Sequence, residues 1–81
     1  FTAGARFVLI KRTDSTGDWY VWDSVRGIVS GNDPYLLLNS DAAQVTNTDY
    51  IDPLSSGFTV TSSAPDAFNV SGGNYIFLAI A

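Results

Sequence analysis

Eight aspartates, with no glutamate, histidine, cysteine or methionine, confine the chemistry open to this chain to carboxylates, hydroxyls and aromatic rings. Two carboxylates can act as acid and base in glycoside hydrolysis, but only at a defined separation and with one pKa raised. No spacing here fixes such a pair, and the chain is small for a walled cleft. A nucleophile activated by histidine is impossible. Zinc would lack both its thiolate and its imidazole ligands. Asp14, Asp18, Asp33 and Asp52 fall among turn-forming residues, where oxygen ligands can gather round calcium. The run "DSTGD" at 14–18 lacks the ligand spacing of an EF-hand loop, and Asx turns explain aspartate in such places without a metal. The residues therefore predict a non-enzyme with no metal and no cofactor.

The other notable cluster is aromatic. Trp19, Tyr20 and Trp22 lie almost side by side in "RFVLIKRTDSTGDWYVWDS", residues 6–24. Flat rings can stack on the apolar faces of sugars, so these three residues are the candidate glycan platform. The weightier reading is packing, in the core on one strand face and against a neighbouring subunit on the other, because aromatics are strong strand formers and bury much area.

Arg6, Lys11 and Arg12 cluster at the ends of one strand, but a net charge of −4 argues against a nucleic-acid partner, which would call for a basic face. "NVS" at 69–71 fits a glycosylation acceptor and reads more simply as a loop asparagine.

The elements that would position these residues are strands. At 81 residues the chain is one domain, and a chain of that size buries only about 60–65% of the surface its unfolded form exposes. Without disulfides, its stability must come from packing, from a neighbouring domain or from partner subunits, and 46% apolar and 14% aromatic residues suit a packed core. No run approaches the ~20 apolar residues of a membrane span.

Arg6–Arg12 reads as a central strand and Trp19–Ser24 as its hairpin partner, joined by a polar turn in which Gly17 is free to take positive φ. Tyr35–Leu38 is a short strand, Asn39–Asp49 is irregular, and Asp41 with Gln44 can cap a single helical turn. Tyr50–Leu54 is limited to an edge or strand end by Pro53. Phe58–Ser62 alternates. Ser63–Asn74 is a loop, and Tyr75–Ala81 reads as a strand buried on both faces. The prediction is an all-β, small antiparallel β-sandwich of about six strands with long polar loops. Phe7, Leu9, Val21, Leu37, Phe58, Val60, Ile76 and Leu78 are its expected core.

Taken together, "FVLIKRTDSTGDWYVWDSVRG", "IDPLSSGFTV" and "NVSGGNYIFLAIA" resemble a small β domain of tailed bacteriophages, found in tail-fibre and other virion appendage proteins, notably of marine phages. The likeness covers nearly the whole chain in order: Phe7–Arg12, Trp19–Arg26, Ile51–Phe58 and Ser71–Ala79. It implies a non-enzymatic structural or adhesion module on the virion surface, assembling with copies of itself or with other virion proteins. A host glycan is a further possible partner. A carbohydrate-binding adhesion domain and a subunit of an extracellular filament are the alternative readings. The family carries no catalytic motif to transfer.

Members of that family have a short strand before the position of Phe1, and often an acidic residue after the final strand. Both are missing here, so the chain is expected to be a fragment of a longer virion protein. The Phe-Thr start also resembles mature type IV pilins, but the long apolar helix of those proteins is lacking. In "NYIFLAIA" both Tyr75/Phe77/Ala79 and Ile76/Leu78/Ile80 need cover, whereas a sandwich covers one face of each sheet. A neighbouring domain or symmetry-related subunit is therefore expected over part of this strand or of Trp19–Trp22.

Overall fold

The computed structural model describes residues 3–65, 67 and 69–81. Phe1, with the expectation attached to it, and parts of the 63–74 loop lie outside the described residues. Six strands form: β1 (Phe7–Arg12), β2 (Tyr20–Asp23), β3 (Leu36–Leu37), β4 (Ile51–Leu54), β5 (Gly57–Val60) and β6 (Tyr75–Ile80). Among the described residues there is no helix, and the domain is all-β as expected. One sheet has four strands in the order β3-β2-β1-β6; the other is the β4-β5 hairpin; all pairings are antiparallel.

β1 is central because its apolar residues on both faces reward burial between two neighbours. Its partners are placed by register. Val8 lies opposite Trp22 and Ala79, Ile10 opposite Tyr20 and Phe77, and Leu9 opposite Val21 and Leu78. Directly opposed residues share a face, so the large sheet has an inner face of Val8, Ile10, Tyr20 and Trp22. The hairpin packs on it through Ile51, Phe58 and Val60. Tyr20 and Trp22 stack at 5.9 Å, and Tyr35 tilts against both. Val8, Trp22 and Ile51 have no exposed surface.

Backbone hydrogen bonds tie the two layers together. The N–H of Gly4 donates to the carbonyl of Ser55 and that of Ala5 to Gly57, so the segment leading into β1 is anchored on the hairpin turn. Pro53 lies in β4, which has a single strand partner, as its missing N–H requires.

Four expectations need correction. The core is built from the opposite parity of β1: Val8 and Ile10 are buried, whereas Phe7 and Leu9 are half-buried on the outer face. Ile76 and Leu78 are half exposed rather than core, because β6 is an edge strand whose outer face no second layer covers among the described residues. Residues 41–44 form no helical turn; instead Val45 exchanges backbone hydrogen bonds with Tyr35. Gly17 is not among the glycines with positive φ; a Cβ there would sit 3.2 Å from the carbonyl oxygen of Ala67, so close approach is what favours glycine. Val21 is buried as expected, and Leu37, Phe58 and Val60 are half-buried against the core.

Candidate functional site

The aromatic strand turns two of its three rings inward. Tyr20 and Trp22 point inward and are buried, where stacking and burial hold them. Trp19, one residue before β2, stays half-buried at the sheet end. Its N–H donates to Asn39 Oδ1, Asn39 Nδ2 donates to Asp18, and Lys11 Nζ lies 5.9 Å from its ring centroid. Lys11 is opposite Ile76, so Trp19 borders the outer face of the large sheet.

That outer face carries a row of apolar side chains. Alternation places Phe7 and Leu9 of β1, Val21 of β2, Leu36 of β3 and Ile76, Leu78 and Ile80 of β6 on one side. Of these, Ile76 and Leu78 are each 50% exposed and Ile80 45%. The other side of β6 is open as well. Phe77 is 67% exposed although its ring meets Phe58 edge-on at 5.7 Å. Clefts of about 290 and 180 Å³ flank it: one is bounded by Gly57, Phe58 and Ala79, the other by Ile10, Val60 and Tyr75. β6 thus offers apolar side chains on both faces and an edge paired with no strand among the described residues.

A second constellation is acidic. Asp33 lies in the loop before β3, Asp49 just before β4 and Asp52 within β4. The Asp33 N–H donates to the Thr48 carbonyl at 2.8 Å, which draws the two segments together. Asp33 Oδ2 accepts the Val29 N–H at 2.6 Å, closing the 29–33 loop as an aspartate in a turn does. One carboxylate oxygen from each aspartate lies within 4.8 Å of the others. Burial pushes the Asp33 carboxyl up to about 6, the Val29 N–H opposes that, and the negative charges of Asp49 and Asp52 add to the rise. Asp52 is likewise raised, by burial first and then by Asp49.

Sequence reasoning had singled out Asp33 and Asp52 but not Asp49. Asp49 is close to Asp52 in sequence, but the approach of Asp33 to both is tertiary, and no local spacing signals it. Asp14 and Asp18 lie elsewhere. Asp14 pairs with Arg12 Nε at 2.7 Å, which holds its carboxyl below the ordinary value, and Asp18 accepts from Asn39. Asn69 is an exposed loop residue whose Nδ2 caps the Thr61 carbonyl.

Residues 3–81 match the family described as a domain of unknown function (DUF7483), and the chain belongs to that family. No curated protein and no solved structure matches it.

Proposed function

We propose that this DUF7483 domain is a non-enzymatic structural module of a bacteriophage virion, carried in a tail fibre or surface decoration on the outside of the particle. It assembles with copies of itself or with other virion proteins and aids host attachment. The observation that carries the assembly role is β6, an edge strand whose Ile76, Phe77, Leu78 and Ile80 are 45–67% exposed. Apolar patches beyond a few hundred Å² are rare on monomers and mark interaction surfaces. An unpaired edge adds main-chain donors and acceptors for strand addition. The phage setting rests on the resemblance of the three quoted segments.

Two measurements test the two halves separately. Sedimentation of the chain at ~100 μM, well above the Kd of a specific interface, is expected to show association; a stable monomer would overturn the assembly role. Mass spectrometry of the native particle is expected to place the polypeptide among virion proteins; finding it in a cellular complex without phage proteins would overturn the setting. The carbohydrate-binding alternative now rests on Trp19 with its polar neighbours Asp18 and Asn39, since Tyr20 and Trp22 are buried. Glycan-array binding lost in Trp19→Ala would favour it.

A further inference from the structure

We propose that Asp33, Asp49 and Asp52 form a calcium site that ties the loop before β3 to the start of β4. Calcium takes oxygen ligands at about 2.3–2.6 Å, so two oxygens on one ion stand no more than about 5 Å apart. The three carboxylate oxygens, all within 4.8 Å of one another, meet that limit from three separate positions. Proximity of acids alone is common on surfaces. The feature that sets this cluster apart is Asp33, which has no exposed surface and whose Oδ1 is shielded from solvent without a hydrogen-bond partner.

A buried carboxylate is expensive unless it is paired, bonded or metal-bound. The Asp33 carboxylate accepts one hydrogen bond, from the Val29 N–H, on its other oxygen. The charges that act on it are those of Asp49 and Asp52, both of its own sign. Oδ1 of Asp49 and Oδ1 of Asp52 are also shielded and without a partner, as is the hydroxyl of Thr48, the residue whose carbonyl holds the Asp33 N–H. The cluster therefore has a surplus of shielded acceptors and negative charge, and a cation supplies what both lack.

The chemistry of the donors selects the ion. All are hard oxygens, which suit calcium, magnesium or manganese rather than zinc or copper. Magnesium holds its ligands at about 2.0–2.1 Å in near-ideal octahedra, dehydrates reluctantly and is usually bound through one or two carboxylates, not three. Calcium accepts irregular geometry and a larger span, with water or loop carbonyls completing six to eight ligands. A shared proton is the competing way to relieve three adjacent carboxylates, and the experiment separates the two.

The full chain is stripped with EDTA, returned to metal-free buffer at neutral pH, and titrated with calcium chloride and, in parallel, magnesium chloride. Calorimetry is expected to show one calcium per chain with a Kd of about 1 mM or tighter, the range of extracellular modules, and weaker magnesium binding. Tm should rise with the logarithm of calcium concentration. Asp33→Asn and Asp52→Asn should lose saturable binding while keeping their far-ultraviolet circular dichroism. Should Asp33→Asn fail to fold, the wild-type chain supplies a second readout. Terbium luminescence sensitised by Tyr50, next to Asp49, should appear and be displaced by calcium. No heat and no Tm shift up to about 10 mM calcium would overturn the site. So would undiminished binding by Asp52→Asn, tighter binding of magnesium than of calcium, or a stability that rises on acidification and ignores calcium.

Discussion

Trp22 has no exposed surface and contacts rings on two sides, Tyr20 and Tyr35, so its truncation opens a large hole in a small interior. Trp22→Ala should cost about 3–5 kcal/mol, a large part of the stability of so small a domain. Trp19→Ala should cost no more than about 1 kcal/mol, the scale of an exposed cation–π contact, since its ring is half-buried beside Lys11. Urea unfolding of the two variants measures the difference, and equal losses would contradict the inward placement of Trp22. Tyr20 adds a pH dependence. Burial, then the charges of Tyr35, Asp18 and Tyr50, push its hydroxyl up to about 12. A raised folded pKa means that the neutral form is favoured in the fold. Its contribution is complete below the unfolded value of about 10 and is lost as pH rises toward 12. Stability by urea titration should fall steeply between about pH 10 and pH 12, and the fall should be shallower in Tyr20→Phe. Tyr35, also raised by burial, keeps a residual slope.

Between elements, the junction that joins the layers is short. Gly4 has φ +85°, is buried, and a Cβ there would stand 3.0 Å from the Leu54 carbonyl oxygen. The adjacent N–H groups hold Ser55 and Gly57 at the hairpin turn. Gly4→Ala meets both a backbone penalty and a contact with main chain that cannot swing away. A loss of about 1–2 kcal/mol is expected, with a fall in Tm; an unchanged Tm would show that the junction does not hold the layers. The strand positions were legible beforehand because alternation and turn residues are local signals: all six predicted strands form, with ends shifted by one or two residues. The 41–44 turn was not, because an Asp-Gln capping pattern without an apolar stripe has nothing to pack. Val45 instead finds its partner in Tyr35.

For the whole molecule, the proposed association rests on the exposed outer face and edge of β6. A double variant Ile76→Asp, Leu78→Asp replaces side chains that are each half exposed in the free domain. It should abolish association at ~100 μM while leaving Tm within a few degrees of the parent. Val8→Asp, on the inner face of the same sheet, should unfold the domain because it buries an uncompensated charge. Sedimentation and thermal melts of both variants check this together. A large loss of Tm in the double variant would mean that the outer face belongs to the domain's own core.

Composition and periodicity determined the class of this protein. The absence of histidine and cysteine excludes triads and zinc thiolates, and short alternating runs with Asp-, Gly- and Pro-rich breaks specify an antiparallel all-β chain. Tertiary structure decided which face each strand buries. In β1 and β6 both parities are apolar, so no alternation marks an inside, and pairing register with the hairpin's position chose Val8 and Ile10 over Phe7 and Leu9. It also decided which aspartates meet. Asp33 is separated from Asp49 and Asp52 by the β3 segment and a long irregular loop, and only the approach of its loop to the start of β4, fastened by Asp33 to Thr48, brings it beside them. Spacing along a chain carries no information about such a contact, because it is set by long-range packing rather than by the local period of either segment.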